Sequence, residues 1–140
     1  MNLSELLKKD LVRKVDADRA KAKELLLMAE RDIKVADDNF NGGNYDWALA
    51  IAYNSMLSCG RALMASKGYA PVSEAHHIGV VQFCGALLPD EPSVATFNRY
   101  RVRRHGVLYG EAGSVGRDEA KNAVENAKLF LRKIREKVKG

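Results

Sequence analysis

Hydrophobic residues recur at three- and four-residue steps through most of the chain, and this spacing predicts amphipathic α-helices. The first long helix is predicted from Asp16 or Asp18 to about Phe40, because either aspartate can accept the free amide protons of a helix start. The opposite face is rich in Lys, Arg and Asp. The row predicted to face the core consists of Leu26, Ala29, Ile33, Ala36 and Phe40.

A second long helix is predicted from Tyr45 to Lys67, between a turn at residues 41–44 and a stop at Gly68. It is apolar on two sides, which predicts a central position in the fold. One side is a row of mostly small residues, Tyr45, Ala48, Ala52, Ser55, Cys59 and Ala62, and the other is Leu49, Tyr53, Leu57 and Met64.

Four more helical segments follow from periodicity and boundary residues. In chain order they run from Ser4 and Glu5 to near Lys14, from a Ser73 cap to about Leu87, from Glu91 or Ser93 to Tyr109, and from Arg117 or Asp118 to Lys139. The last has an apolar row made of Ala120, Ala123, Val124, Ala127, Phe130, Leu131 and Ile134. No β alternation is recognisable in the sequence.

The pattern predicts an all-α fold, an up-and-down bundle of four or five helices with short connections. A chain of 140 residues has the size of one domain, so residues 1–140 are expected to form a single domain. Hydrophobic residues make up 46% and charged residues 29%, which excludes a disordered or low-complexity chain. The sequence lacks an apolar run of membrane-spanning length and a secretory start, so a cytoplasmic location is expected.

Basic residues outnumber acidic ones by 23 to 18, for a net charge of +5. Their distribution is more informative than the total, because residues 92–110 contain no Asp or Glu. Four arginines crowd this segment, and like charges one turn apart repel each other unless an anion neutralises them. Phosphate is the natural partner, because a guanidinium group matches its oxygens as a fork. The candidate ligands of RNA or a nucleotide are Arg99, Arg101, Arg103 and Arg104.

On a helix, Arg101, His105 and Tyr109 lie at four-residue steps and form one stripe. The stripe presents a cation, a group that titrates near neutral pH and a phenol ring that can stack on a base. The alternative is structural: the arginines pair with acidic residues of neighbouring helices or of a second subunit.

Other candidate chemistry is weak. Cys59 and Cys84 have no CxxC spacing and are expected to be buried packing residues. His76 and His77 are adjacent and point in different directions on a helix, so they are interpreted as surface or boundary histidines. Glycines at 110, 113 and 116 predict an ordinary connection, because no strand precedes them. No metal and no cofactor is expected.

Two segments resemble signatures of one known family. Residues 44–53 read N-Y-D-W-A-L-A-I-A-Y and are followed by Ala62 and Leu63, and residues 104–110 read R-H-G-V-L-Y-G. In order and separation these resemble the second-helix and late-helix motifs of the HEPN domain family. The resemblance implies a compact helical bundle with a long antiparallel helix pair and a functional motif on a late helix.

The implied activity depends on how the late motif is aligned. Nuclease members have an Arg, four to six intervening residues and a His, and Arg99 with His105 fits that spacing. Alignment on the Tyr-Gly end, which we favour, makes Arg104 the family arginine and places Tyr109 where the catalytic His stands. His105 then takes the usual polar position. A Tyr with a pKa near 10 is a poor proton shuttle, so the resemblance leaves Arg104, His105 and Tyr109 as catalytic candidates of low expected activity.

The leading hypothesis is a HEPN-type domain that binds RNA or a nucleotide, or a nucleotidyltransferase partner, through its basic late helix with little or no catalysis. The resemblance also implies a homodimer with facing late motifs and, as partner, a minimal nucleotidyltransferase that acts as antitoxin. The first alternative is a metal-independent RNase toxin of a toxin–antitoxin pair. The second is a structural helical adaptor whose arginines form internal salt bridges.

Overall fold

The computed structural model describes residues 1–73, 77–109 and 113–139. These residues form six helices and one two-stranded sheet, which confirms the predicted all-α bundle. The elements are α1 (Leu3–Lys8), β1 (Val12–Lys14), α2 (Arg19–Asn41), α3 (Tyr45–Lys67), β2 (Tyr69–Pro71), α4 (Ile78–Leu87), α5 (Pro92–Tyr109) and α6 (Arg117–Lys139).

Helices α2 and α3 form a long antiparallel pair. Their connection spans only residues 42–44, and such a short link forces neighbouring helices to run in opposite directions. Gly43 supplies the positive φ of 79° that the turn requires. Within the pair, the buried hydroxyl of Ser55 donates a hydrogen bond to the carbonyl of Ala29 at 2.8 Å. The apolar faces of α2 and α3 thus pack against each other.

Helix α3 occupies the centre of the bundle, as its two apolar sides predict. It packs against α2, α4, α5 and α6, and both of its predicted rows are buried apart from the half-buried Tyr45. At Gly60 both α4 and α5 approach α3 closely, because an added Cβ would lie 2.5 Å from the Cγ1 of Val80 and 3.5 Å from the ring of Phe97. Residues placed on α3 are therefore surrounded by most of the other helices.

Helix α6 closes the other side of the core, where it packs on α2 and α3. All seven residues of its predicted apolar row are buried. The ring of Phe130 lies 5.3 Å from that of Phe97 on α5, a tilted arrangement that aromatic pairs prefer. The core thus continues from α3 through α5 to α6.

The small sheet was not expected from the sequence. Strand β1 pairs antiparallel with β2, and Arg13 lies opposite Ala70. Gly68 ends α3 in the left-handed conformation at φ 85° and turns the chain back, so that the segment after α3 runs beside the segment before α2. Three-residue strands are too short to show a period of two, which explains why the alternation was not recognisable.

Two predicted helix boundaries are wrong. The first helix ends at Lys8 and not near Lys14, and its cap is Asn2, whose side chain accepts from the amide of Glu5 at 2.9 Å. Helix α4 begins at Ile78, after His77, and not at a Ser73 cap. The first difference leaves room for β1 between α1 and α2. The described residues form six helices, against the four or five predicted for the bundle.

Candidate functional site

Helix α5 carries the predicted arginines and is anchored by its apolar side. Phe97, Tyr100 and Val107 are buried and lie at helical spacing on the side that faces α3. Arg104 falls on the same row, four residues after Tyr100 and three before Val107. An arginine therefore stands where the pattern requires a core residue, and its side chain has to cross apolar surroundings to reach water.

Arg104 lies against the aromatic ring of Tyr53. Its guanidinium carbon is 5.6 Å from the ring centroid, within the range of a cation–π contact. Its Nε atom is buried and has no hydrogen-bond partner among the residues that the structure describes. A buried N–H without an acceptor lowers the stability of the folded chain, so packing alone does not account for an arginine at this position.

Arg103, in contrast, is neutralised within the chain. Its guanidinium forms a two-pronged pair with Glu119 of α6, at 2.9 Å through Nε and 3.1 Å through Nη2. Nη2 also donates to the carbonyl of Ser114 at 3.0 Å. Arg103 therefore fits the structural alternative, in which the arginines pair with acidic residues of neighbouring helices. The ion pair joins the end of α5 to the start of α6.

Arg99 and Arg101 lie outside the buried row of α5. Arg99 is exposed and lies 5.4 Å from the ring of Tyr100, and Nε of the half-buried Arg101 donates to the side chain of Asn98 at 3.1 Å. Within the described ranges, no ion pair joins a carboxylate to Arg99, Arg101 or Arg104. Three of the four predicted arginines thus retain a charge that the described residues do not balance.

Tyr53 and His77 join Arg104 in one cluster, although the sequence interpretation did not connect them. Tyr53 Oη and His77 Nδ1 are 2.9 Å apart, and the two rings are tilted at a centroid distance of 5.7 Å. Burial raises the pKa of Tyr53 to about 12, against the opposing charges of Arg104, Arg101 and Arg61. The phenol therefore stays protonated at neutral pH, and Tyr53 contacts both the half-buried imidazole and the arginine.

The predicted stripe of Arg101, His105 and Tyr109 is only partly described. His105 is exposed, whereas Arg101 and Arg104 are half-buried. The side chain of Tyr109 lies outside the described residues, as do Gly110 and His76. These positions do not decide between the two alignments of the late motif. The catalytic roles of Arg104, His105 and Tyr109 stay predictions.

The connection between α5 and α6 is fastened to the start of α3 by Asp46. One carboxylate oxygen accepts from the backbone amide of Gly113 and the other from that of Val115 at 3.2 Å. The amides of the glycine-containing connection thus bind an anion, but the anion is a side chain of this protein. No signal in the sequence connects Asp46 with a loop 67 residues away.

Beside Asp46 lies a groove of about 230 Å³ formed by Asp46, Trp47, Val107 and Leu108. A second depression of about 330 Å³ adjoins Trp47 on the side of the α2–α3 turn and Gly113. Trp47 is 57% exposed, although most residues of α3 are buried. The groove lies one helical turn beyond Arg104, because Leu108 follows that arginine by four residues.

The two cysteines are buried, as the sequence predicts. Cys59 and Cys84 are fully buried, and burial raises the pKa of both thiols, that of Cys84 to about 12. Among the described residues, no group of three or more His, Cys, Asp or Glu side chains could hold a metal ion. None of the helices formed by those residues is long and apolar enough to cross a membrane.

The fold and this site define a class: an all-α bundle with a long antiparallel helix pair and a cationic late helix. Two solved structures share the fold. TT1696 from Thermus thermophilus is 22% identical, with a TM-score of 0.65, over 84% of this chain and 98% of that one. ST0689, an archaeal HEPN homologue, is 17% identical, with a TM-score of 0.63, over 84% of this chain and 97% of that one.

The family model of the HEPN domain matches residues 22–137. The chain therefore belongs to the HEPN domain family, which confirms the resemblance drawn from its two motifs. No curated protein sequence matches the chain.

Proposed function

We propose that this HEPN domain binds single-stranded RNA or a nucleotide through the arginines of α5, with Arg104 as the central phosphate ligand. The observation that carries the proposal is the state of Arg104, whose guanidinium rests on Tyr53 and whose buried Nε lacks an acceptor among the described residues. Because Arg104 is only half-buried, a phosphate oxygen that reaches the exposed part of its side chain can form a charge-assisted hydrogen bond with the guanidinium.

The spacing of the arginines favours a chain of phosphates over a single small anion. Arg101 and Arg104 are three residues apart, about 4.5 Å along the helix, and Arg99 lies about 3 Å further. Residues two apart point to different sides of a helix, so Arg99 and Arg101 lie on different sides of α5, and together with Arg104 they spread positive charge over more than one turn. The chain as a whole carries a net charge of +5. This spread of positive charge attracts a polyanion and makes its binding dependent on salt.

Catalysis is proposed to be slight or absent. The phenol of Tyr53 has a pKa of about 12 and does not exchange protons readily at neutral pH. One contact favours the rival function, a metal-independent ribonuclease: Tyr53 holds the imidazole of His77 within the cluster that contains Arg104. An imidazole beside a guanidinium is a combination that can move a proton while it stabilises a developing phosphorane charge.

The test compares two variants that each remove one positive charge. Arg104→Gln acts at the proposed site, and Arg132→Gln removes an exposed arginine from α6. Binding of a fluorescently labelled single-stranded oligonucleotide is measured by anisotropy over a series of salt concentrations. Arg104→Gln is expected to weaken binding about tenfold or more and to lower the salt slope by about 0.7, the value for one single-strand phosphate contact. Arg132→Gln is expected to leave both unchanged.

Two further variants refine the result. Arg104→Lys is expected to retain the salt slope and to lose part of the affinity, because it keeps the charge but not the fork. Arg103→Gln is expected to change the slope less than Arg104→Gln, because Glu119 already neutralises Arg103. Equal effects of Arg104→Gln and Arg132→Gln, with both proteins folded by circular dichroism, contradict the proposal.

The same oligonucleotide separates the rival functions. Cleavage in the presence of a chelator that is lost in His77→Ala or His105→Ala supports the ribonuclease. Salt-sensitive binding without cleavage supports the binding domain. Absence of both supports the structural adaptor.

Membership of the family also supports a proposal about assembly. We propose that α5 meets either a second copy of the chain or a minimal nucleotidyltransferase in the cytoplasm. Acidic residues of such a partner can neutralise Arg99 and Arg101, which have no carboxylate partner among the described residues. Light scattering of the purified protein, alone and with a candidate nucleotidyltransferase, measures the masses of the two assemblies.

A further inference from the structure

Trp47 is unusually exposed for a residue of α3. Its neighbours Ala48 and Leu49 are fully buried and α3 is the central helix of the bundle, yet the indole is 57% exposed. An exposed indole that borders a concave surface is typical of a binding site rather than of packing. Trp47 borders two such surfaces, the groove toward Val107 and Leu108 and the depression toward the α2–α3 turn.

The size and lining of these surfaces select the kind of ligand. At about 230 and 330 Å³ they are small for a drug-sized molecule and suited to one planar ring. Trp47 lines both surfaces, and the groove is lined in addition by two aliphatic side chains from the end of α5, Val107 and Leu108. An aromatic ring of the ligand can stack on Trp47 while Val107 and Leu108 exclude water from its edge.

Charge separates this groove from the arginines. The carboxylate of Asp46 lines the groove, and although two backbone amides hold it, its negative charge disfavours a phosphate there. Arg104 lies one turn back along α5 and favours a phosphate. The surface therefore offers a place for a neutral ring next to a place for an anion, which is the arrangement of base and phosphate in a nucleotide.

We propose that Trp47 is a stacking platform for one nucleobase of a single-stranded nucleic acid whose adjoining phosphate binds Arg104. This inference rests on the proposed function and adds recognition of the base to recognition of the backbone. Stacking on an aromatic side chain tolerates any base, because every base has a π face. The site therefore distinguishes nucleic acid from other polyanions without reading sequence.

The experiment uses the fact that Trp47 is the single tryptophan of the chain, so that its fluorescence reports this site alone. The probes are a short oligouridylate and inorganic polyphosphate, which carries the charge but no base. Oligouridylate is expected to quench the fluorescence of Trp47 on binding, and polyphosphate is expected to bind without quenching it.

Variants then measure the contribution of the ring. Trp47→Ala is expected to weaken oligouridylate binding about 5- to 150-fold in an anisotropy competition assay, the range for loss of one stacked base. Binding of polyphosphate is expected to stay the same. Trp47→Phe should retain most of the affinity, because a smaller ring still stacks. Leu27→Ala removes a side chain of similar exposure, 58%, from α2 and serves as the control.

The outcomes separate the two proposals. If Arg104→Gln weakens the binding of both probes but Trp47→Ala weakens neither, the stacking proposal is wrong and the proposed function stands. If the wild-type protein binds neither probe, both are wrong. If Trp47→Ala changes the mass of the protein in light scattering and leaves oligouridylate binding unchanged, the indole belongs to a protein interface and the stacking proposal is overturned.

Discussion

At the scale of single residues, the phenol of Tyr53 decides the character of the site. It is fully buried, it touches the imidazole of His77, and a guanidinium lies over its ring. Burial opposes ionisation of the phenol more strongly than the three nearby arginines promote it. The result is a neutral hydroxyl that fixes two potentially charged neighbours.

A pH dependence of stability follows from this residue. The pKa of Tyr53 is about 12 in the folded chain against an ordinary value of 10.0, so in the unfolded chain the phenol loses its proton first. The free energy of unfolding should therefore fall as the pH rises from about 10 to about 12, and level off above that range. Denaturant unfolding at a series of alkaline pH values measures this slope.

Tyr53→Phe is the control for that measurement, because it removes the ionisable group and retains the ring. The variant should be less stable at neutral pH through loss of the bond to His77, and its stability should decline less steeply over the alkaline range. Parallel declines in the two proteins contradict the assignment of this transition to Tyr53.

Arg104 shows how much of the site a single sequence contains. Its place on a row with Phe97, Tyr100 and Val107 is visible in the spacing alone, and it sets this arginine apart from its three neighbours. Its partners Tyr53 and His77 are not visible, because they come from other helices and approach only when the bundle is packed. The pairing of Arg103 with Glu119 is hidden for the same reason.

At the scale of elements, the strength of the hydrophobic pattern determined which predictions are confirmed. In α6 the seven predicted residues are the seven that are buried, because one narrow stripe faces the core over the whole helix. In α4 almost the whole helix is apolar and no face stands out, and Val80 and Phe83 are fully buried without having been predicted. Short elements such as β1 depend on pairing with a distant segment and leave no local period.

The absence of a side chain at Gly60 lets α3 approach its neighbours closely. A matched pair of substitutions tests this. In Gly60→Ala the new Cβ would meet Val80 at 2.5 Å and the sulfur of Cys84 at 3.2 Å, so the helices have to separate. We expect a loss of about 1–3 kcal/mol in the free energy of unfolding, measured in urea.

Gly85→Ala provides the comparison in α4. There the nearest atom to a new Cβ is a methyl carbon of Val94 at 3.7 Å, an ordinary contact. Because alanine is the better helix former, this variant should match the wild type or exceed its stability by up to about 1 kcal/mol. Equal losses from both substitutions contradict the close approach at Gly60.

At the scale of the whole molecule, Asp46 joins the beginning of α3 to the connection before α6. The contact spans 67 residues of sequence and holds the end of α5, and with it the groove beside Trp47, against the central helix. The site thus depends on an interaction that belongs to none of its predicted residues.

Asp46→Asn removes the charge and leaves a single acceptor oxygen for two amides. We expect the free energy of unfolding to fall by about 1–3 kcal/mol and the amides of Gly113 and Val115 to exchange with deuterium more rapidly. Asp38→Asn, at an exposed carboxylate on α2, should change neither quantity. Unaltered exchange at both amides in Asp46→Asn contradicts the role of this carboxylate.

The reactivity of the two cysteines reports opening of the bundle. Cys59 and Cys84 lie on facing parts of α3 and α4, and neither exposes any surface while these helices stay packed. An alkylating reagent or an oxidant therefore reaches the sulfur atoms only at the moments when the centre of the molecule separates. The rate at which the thiols are modified therefore measures how often the core of the bundle opens.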